Sequence, residues 1–242
     1  MNRMVSSSVE YTLADQERMQ LATNYFEWQA RLAAAEAGRR VIEIGCGIGN
    51  FTRHLLNRDL VAGIDVAQDC IDRLIERFPN QPNLIALRMD VQDSEFLRLK
   101  RYQPDSIVCL NVLEHVRDDR QALEHMRVVL APTGRAIFIV PAFESLYGPI
   151  DAKLGHFRRY SKRSWRALVE TTGFHLRVMR YMNSAGFAGW WLNAKVLKKT
   201  EQSAGQVAIF DSLIVPVLSR LEHWIEPPFG QSLFSVIEKV GA

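Results

Sequence analysis

Short apolar runs alternate along this chain with segments whose apolar residues recur at helical spacing. Seven runs predict strands, at residues 41–44, 60–64, 84–89, 106–110, 135–140, 175–181 and 232–239. Amphipathic spacing predicts helices between them, at residues 15–37, 71–78, 120–130 and 161–173. This alternation predicts a mostly parallel sheet covered by helices on both faces, with its ligand at the carboxyl ends of the strands.

The segment after the first predicted strand is dense in glycine. Residues 43–49 have the form Glu-x-Gly-x-Gly-x-Gly, and the next helix is predicted to begin near Asn50. Glycines leave the backbone bare, so a ligand can lie against the peptide groups and face the free N–H groups of the helix. The spacing differs from a dinucleotide fingerprint, and the lysine of a phosphate-binding P-loop is absent. The segment therefore predicts a cradle for a nucleotide-type cofactor. The plain alternative is a turn that only closes a strand–helix corner.

Polar residues follow three of the predicted strands at the point where each strand ends. Asp65 follows the second strand, Asp90 the third and Asn111 the fourth. The carboxyl ends of parallel strands meet at one edge of a sheet, so these side chains are predicted to lie near the glycine segment. Agreement between independent segments favours one cofactor site at that edge.

Together, the glycine pattern and Asp65 resemble the S-adenosylmethionine (SAM)-dependent methyltransferases of class I, in their bacterial small-molecule form. The resemblance covers roughly residues 20–181 and the last strand. It implies an α/β fold with a seven-stranded, mostly parallel Rossmann-like sheet sandwiched by helices, here with a helical insertion before the last strand. It also implies SAM as the cofactor, with its amino-acid end on the glycine turn.

The resemblance assigns roles within the cofactor site. Asp65 accepts the ribose hydroxyls, Asp90 meets the adenine amino group, and the segment from Asn111 lies near the sulfonium. Asp65 as a helix cap and Asp90 as a turn residue are the alternatives, and Tyr25 either reaches the SAM carboxylate or belongs to a plain amphipathic helix. The predicted set is Tyr25, Glu43, Gly45, Cys46, Gly47, Asn50, Asp65, Val66, Asp90, Val91, Asn111 and Val112.

The connection after the fifth strand is long for a strand–helix link, and such loops are often functional. It resembles a Tyr-Gly…Asp…Gly-His-x-Arg-Arg-Tyr-Ser pattern of small-molecule methyltransferases. His156 is the first candidate for a general base, because an imidazole titrates near neutrality, and Asp151 would orient it. Bracing of the loop is the alternative for His156. The predicted catalytic set is His156, Tyr147, Asp151, Tyr160 and His115.

A basic run follows this loop. Its members are Arg158, Arg159, Lys162, Arg163 and Arg166. They form either a solvated helix face or a site for an anionic group of the acceptor.

The chain divides into a core over residues 1–181, a helical insertion over 182–231 and a last strand within 232–242. The insertion carries Trp190, Trp191 and Trp224 among many apolar residues. These pack as ordinary core or form a hydrophobic acceptor pocket, a homodimer face or a peripheral membrane contact.

Composition adds few constraints. The 242 residues suffice for one α/β domain with a cap, and the net charge of +3 gives no reason to expect nucleic acid. The three cysteines have no zinc or disulfide spacing, and no signal peptide or membrane span is recognised, so a cytoplasmic location is expected. No cluster of metal ligands stands out, which predicts metal independence.

The sequence thus predicts a SAM-dependent methyltransferase acting on a small, apolar or lipid-like acceptor, with an anionic acceptor as a variant. Two alternatives keep the fold. One is a SAM-binding partner protein without activity. The other is an aminopropyltransferase-like enzyme, against which the basic run argues because a polyamine acceptor calls for acidic residues.

Overall fold

A computed structural model describes residues 16–17, 19–193 and 204–239. Its strands are β1 (Arg40–Ile44), β2 (Leu60–Asp65), β3 (Leu84–Arg88), β4 (Ser106–Leu110), β5 (Arg135–Pro141), β6 (Phe174–Met182) and β7 (Ser232–Lys239). They form one sheet in the order β3-β2-β1-β4-β5-β7-β6. Strands β1 to β5 pair in parallel, whereas β7 runs antiparallel to both β5 and β6. The predicted fold class is confirmed.

Helices cover both faces of this sheet. They are α1 (Thr23–Ala34), α2 (Gln68–Arg77), α3 (Asp119–Val129), α4 (Pro149–Leu154), α5 (Lys162–Thr171), α6 (Ser184–Trp191), α7 (Ala204–Ile209) and α8 (Val215–Trp224). One core cluster contains Phe138 and Trp165, and the cluster on the other face contains Trp28 and Val108. The α5 helix begins as its sequence predicts, because the Ser161 hydroxyl accepts a hydrogen bond from the backbone N–H of Ser164 at 3.0 Å.

Two predicted helices at the amino-terminal side are wrong in extent. The helix expected over 15–37 is interrupted by a turn at residues 20–22, and α1 ends at Ala34; residue 15 lies outside the described residues. The helix expected from Asn50 is only a 3-10 turn, Thr52–His54. Thr52, His54 and Asn57 have low helix propensity, which disfavours a longer helix in this connection.

The insertion begins with α6 and ends with α8, and its segment 194–203 lies outside the described residues. A π-helical stretch, Phe210–Ile214, joins α7 to α8, and Pro216 lies in the first turn of α8, where its missing N–H is tolerated. Asn183 and Gln231 close the insertion, through bonds of 3.0 Å between main chains and 2.9 Å between side chains.

Candidate active site

A cavity of about 870 Å³ opens at the carboxyl ends of β1, β2 and β4. Residues of α1 and of the insertion roof it. Eleven of the twelve predicted cofactor residues line it: Tyr25, Glu43, Gly45, Cys46, Asn50, Asp65, Val66, Asp90, Val91, Asn111 and Val112. Among the predicted catalytic residues, His115 and His156 line it as well. Segments far apart in sequence therefore meet at one concave surface.

The glycine loop needs its glycines for two separate reasons. Gly45 has a φ of +73°, and a Cβ built there would lie 2.2 Å from Cγ2 of Val112, so a side chain would collide with the segment after β4. Gly47 has a φ of +50° and is the predicted cofactor residue that the cavity lining does not include. Its backbone N–H donates to Asp65 Oδ2 at 2.9 Å, so it holds the carboxylate.

Asp65 ends β2 with both carboxylate oxygens engaged by the main chain. Oδ2 accepts from Gly47, and Oδ1 accepts from the Ala67 N–H at 3.0 Å. Burial raises the pKa of Asp65, and these backbone hydrogen bonds act in the opposite direction. Each carboxylate oxygen has two lone pairs, so one acceptor position per oxygen is left for a ligand hydroxyl. The N-cap of α2 is Ala67, and no side chain caps the helix, so Asp65 holds the turn before α2 and is not its cap.

Glu43 is a buried carboxyl at the floor of the cavity. It is 4% exposed, and its Oε2 has no hydrogen-bond partner among the described residues. Burial raises the pKa of Glu43 to about 8, so the group is largely protonated at neutral pH. A protonated carboxyl is a hydrogen-bond donor as well as an acceptor, and here it faces the place predicted for the ligand.

The ends of β3 and β4 supply the side walls. Asp90 accepts from the Gln92 N–H at 2.8 Å, which is the local turn considered above, and both residues line the cavity. Asn111 has a φ of +54° and is exposed in the cavity wall. A positive φ is uncommon outside glycine and often marks a functional position.

The roof is tied to the amino-terminal helix by one carboxylate. Asp211 of the insertion accepts from the backbone N–H of Tyr25 at 2.8 Å and of Asn24 at 3.1 Å, at the start of α1. Burial raises the pKa of the Tyr25 phenol, whose ring lines the cavity. The position of Tyr25 therefore depends on the insertion.

Asp151, His156 and Arg159 form a buried, hydrogen-bonded group at the other end of the cavity. Asp151 Oδ1 accepts from His156 Nδ1 and from Arg159 Nε, each at 2.9 Å, and its Oδ2 accepts from the Gly148 N–H at 3.0 Å. Burial alone would raise the pKa of Asp151, but the hydrogen bond from His156 and the charge of Arg159 hold it below its usual value. The bond at Nδ1 leaves Nε2 as the ring nitrogen of His156 that can act on a ligand.

His115 and Glu114 lie beside His156. The two imidazole rings are 4.6 Å apart between centroids and perpendicular. Glu114 is 1% exposed, its Oε2 has no hydrogen-bond partner within the described chain, and burial raises its pKa to about 7. Desolvation and the charge of His156 lower the pKa of His115, which favours its neutral form.

Two tyrosines of the predicted catalytic set lie elsewhere in the fold. The Tyr147 hydroxyl donates to the His156 carbonyl at 2.7 Å. The Tyr160 hydroxyl donates to Asp119 Oδ2 at 2.9 Å, and burial raises its pKa strongly. The described residues that line the cavity include neither tyrosine, nor Asp151. These three side chains hold the loop in place. Because they do not line the cavity, the structure does not support direct proton transfer by them.

The basic run is largely neutralised by neighbouring carboxylates. Arg158 pairs with Asp119 at 2.7 Å, and Lys162 pairs with Glu226 at 3.0 Å. Arg159, which the sequence grouped with surface charges, is 2% exposed and lines the cavity, where its guanidinium lies 4.6 Å from the Trp190 ring centroid. Its ion pair with Asp151 supports a structural role more than a site for an anion.

Several lining residues have no recognisable signal in the sequence. They include Gln29 on α1, Gln92 after β3, and Asn183 and Phe210 of the insertion. Trp190 had been weighed between core and acceptor pocket, and it both packs against Leu146 and Ile150 and lines the cavity. A run of apolar side chains on the outside of the insertion is exposed: Ile209, Leu213, Val217, Leu221, Trp224 and Ile225. Within the described residues, no helix has both the length and the apolar character needed to span a bilayer.

Comparison with known proteins adds the family context. A family model described as a methyltransferase domain matches residues 16–177, about two thirds of the chain. The ubiquinone biosynthesis O-methyltransferase of Coxiella burnetii (strain Dugway 5J108-111) is 27% identical over 115 residues, which are 47% of this chain and 47% of that protein. An uncharacterized 37.1 kDa protein of transposon TN4556 from Streptomyces fradiae is 28% identical over 161 residues, 64% of this chain and 45% of that protein. Each match thus spans less than half of the relative.

Solved structures share the fold. A SAM-dependent methyltransferase from Thermotoga maritima superposes with a TM-score of 0.66 at 16% identity, covering 96% of this chain and 99% of that one. The [4+2]-cyclase SpnF superposes with a TM-score of 0.59 at 14% identity, covering 91% and 81%. At such identities the likeness concerns the fold alone.

Proposed function

This chain belongs to the methyltransferase-domain family, and we propose that it transfers a methyl group from SAM to a small, apolar or lipid-like acceptor. One observation carries the proposal. A single cavity runs from the bare glycine loop and Asp65 to His156, so a cofactor and an acceptor have room to meet inside it.

The residues at the cofactor end suit SAM. Asp65 offers carboxylate lone pairs to the ribose, and Gly45 presents bare backbone where a side chain would collide with Val112. The unpartnered Oε2 of Glu43 is a buried polar atom that a polar ligand group can satisfy. Asp90 and Val91 would meet the adenine, and Tyr25 the amino-acid end.

When bound, SAM supplies a methyl group on a positively charged sulfur, which is already a good leaving group. The chain's own contribution is then mainly position and exclusion of water. Alignment of two reacting atoms is worth about 7–11 kcal/mol in favourable cases. The roof formed by α1 and the insertion, held through Asp211, provides the enclosure.

His156 would act on the acceptor at the other end. Its Nδ1 is fixed by Asp151, so Nε2 can take the proton that an oxygen or nitrogen acceptor loses as it is methylated. The apolar residues beside it, Ile150, Leu154 and Trp190, favour an acceptor with an apolar body. Three further properties stay predictions: contact with a membrane surface, formation of a homodimer and a cytoplasmic location.

The first test is calorimetric titration of the purified chain with SAM and with its demethylated product. Saturable binding of both compounds supports the cofactor site. If neither compound binds, the proposal is wrong.

The second test incubates the chain with methyl-labelled SAM and small-molecule extracts. Label recovered in an organic-soluble product supports an apolar acceptor, whereas binding without transfer favours a SAM-binding partner protein. A parallel incubation uses decarboxylated SAM that is labelled in its aminopropyl group. Label transfer in that incubation alone would favour the aminopropyltransferase alternative.

A further inference from the structure

Three potential metal ligands meet at the acceptor end of the cavity. Glu114 and His115 follow β4, and His156 lies 41 residues further on, in the loop after β5. One donor atom from each lies within 4.8 Å of the other two. The linear sequence shows no metal motif here, because the third ligand joins the pair only through the fold.

We propose that Glu114, His115 and His156 bind one divalent transition-metal ion. Two atoms that each lie about 2.1 Å from an ion are at most about 4.2 Å apart, so small side-chain rotations close the set on an ion. This assignment reverses the metal independence expected from the sequence.

The buried carboxylate of Glu114 has the environment expected of a metal ligand whose ion is absent. Its side chain is nearly fully buried, yet Oε2 has no hydrogen-bond partner in the described part of the chain. An isolated buried carboxylate is costly unless it is paired or coordinates a metal. The nearby Arg159 donates its Nε–H to Asp151 and acts on Glu114 only through its charge, so it does not supply the missing partner of Oε2.

His156 has a carboxylate hydrogen-bonded to one ring nitrogen, as a histidine that binds a metal through the other nitrogen usually has. Its Nδ1 bonds to Asp151 at 2.9 Å, which fixes the tautomer with Nε2 free to coordinate. Asp151 is itself held by Arg159 and by the Gly148 N–H, so the imidazole is oriented before any ion arrives. His115 lines the cavity and is exposed, which gives an ion a route to the site.

The donor set indicates the kind of ion. Two imidazole nitrogens and one carboxylate oxygen suit Zn²⁺, Fe²⁺, Mn²⁺ or Co²⁺, whereas Mg²⁺ and Ca²⁺ prefer all-oxygen sites. Three protein ligands leave coordination positions open on the cavity side, as catalytic sites do.

An open coordination position on the ion also indicates which acceptors the site prefers, an inference that rests on the proposed function. A hydroxyl bound to the ion loses its proton to water at a lower pH than when it is free. The oxygen lone pair then forms the new bond to the methyl carbon, and the carbon–sulfur bond breaks with its electrons going to sulfur. In the loaded protein Nε2 of His156 would bind the ion and could not also take the proton of the acceptor, so the ion would replace it in that role, and the preferred acceptor would be an alcohol or phenol.

The test measures metal binding without SAM. The full chain, stripped with EDTA and free of any affinity tag, is titrated with Co²⁺ by visible absorption and with Zn²⁺ by calorimetry. We expect one ion per chain. His115→Ala, His156→Gln and the isosteric Glu114→Gln should each weaken Kd at least about 10-fold. His175→Ala, which removes an exposed histidine of β6, should bind as wild type does.

Absence of saturable binding by wild type, or equal binding by all three ligand variants, would overturn the site. SAM titration of the same samples separates the two proposals. Normal SAM binding without metal binding removes the ion site alone. Metal binding without SAM binding removes the methyl transfer and leaves the ion site in place.

Discussion

The carboxylate of Asp211 accepts a hydrogen bond of 2.8 Å from the backbone N–H of Tyr25, although 186 residues separate the two. The carboxylate thereby satisfies the free N–H groups at the start of α1, as a local capping residue normally would. No side chain of its own caps α1, since Ala22 occupies the N-cap position. The roof of the cavity and the amino-terminal helix are consequently one cooperative unit.

Asp211→Ala should destabilise this unit. Loss of a capping carboxylate costs about 0.5–2 kcal/mol, and it also frees α1 to move away from the cavity. Urea unfolding and amide hydrogen exchange over α1 measure both effects. Ser212→Ala, at the exposed neighbouring position, is the matched control. Unchanged exchange in α1 would show that the contact is dispensable.

Asp65→Ala should weaken SAM binding by about 1–3 kcal/mol, because the ribose hydroxyls lose a charged hydrogen-bond acceptor. Calorimetric titration measures this change. Asp69→Ala, which removes an exposed carboxylate from α2, controls for the general loss of negative charge. Since Asp65 also holds the Gly47 amide, thermal unfolding of both variants is needed to separate binding from stability. Equal affinity in a folded variant would exclude Asp65 from the site.

His156→Gln should lower turnover by about 10²–10⁴-fold while SAM affinity stays within a few-fold of wild type. The imidazole lines the cavity without a hydrogen bond to the glycine loop or to Asp65 among the described residues. Rates with labelled SAM and any acceptor found in extracts provide the measurement, and His175→Ala provides the control. Retained activity would return His156 to bracing the loop.

Glu43→Gln should change the pH dependence of stability. Burial raises the folded-state pKa of Glu43 from its ordinary 4.5 to about 8. The folded state therefore holds a proton that the unfolded state releases, and wild-type stability falls as pH rises from about 4.5 to about 8.

Glutamine cannot ionise, so this part of the decline should vanish. Between pH 4.5 and about pH 8, the free energy of unfolding of the variant should rise relative to that of wild type by several kcal/mol, on the order of 3–5. Urea unfolding at pH 5.5 and pH 8.5 measures the difference. Parallel pH profiles for the two proteins would show that Glu43 is ionised in the folded state.

The sequence was informative where structure depends on neighbouring residues. Strand β7 has the predicted bounds 232–239, because a short, nearly continuous run of apolar and small residues is a local signal for a strand buried on both faces. The glycine pattern likewise located one wall of the cavity, since a backbone with positive φ favours glycine at Gly45. Both features are fixed within a few residues of chain.

Contacts between distant segments could not be read in this way. Arg159 belongs to a basic run that is typical of a solvated face, yet the fold buries it against Asp151. The contact of Asp211 with α1 and the meeting of Glu114 with His156 likewise join separate segments, and periodicity carries no information on such pairings. The 3-10 turn after the glycine loop was missed for another reason. The prediction followed the glycine pattern and did not weigh the low helix propensity of Thr52, His54 and Asn57.

The paired ends of the insertion, Asn183 and Gln231, have a consequence for how this protein can diversify. They close the insertion on its sheet side, so the segment between them is a bounded unit whose contacts with α1 include that of Asp211. We expect a chimera that carries another roof between these two residues, with a carboxylate kept at the place of Asp211, to keep the strand register and SAM affinity while accepting different substrates. Loss of folding in such chimeras would show the opposite. Acceptor range and scaffold integrity would then be separately evolvable traits of this chain.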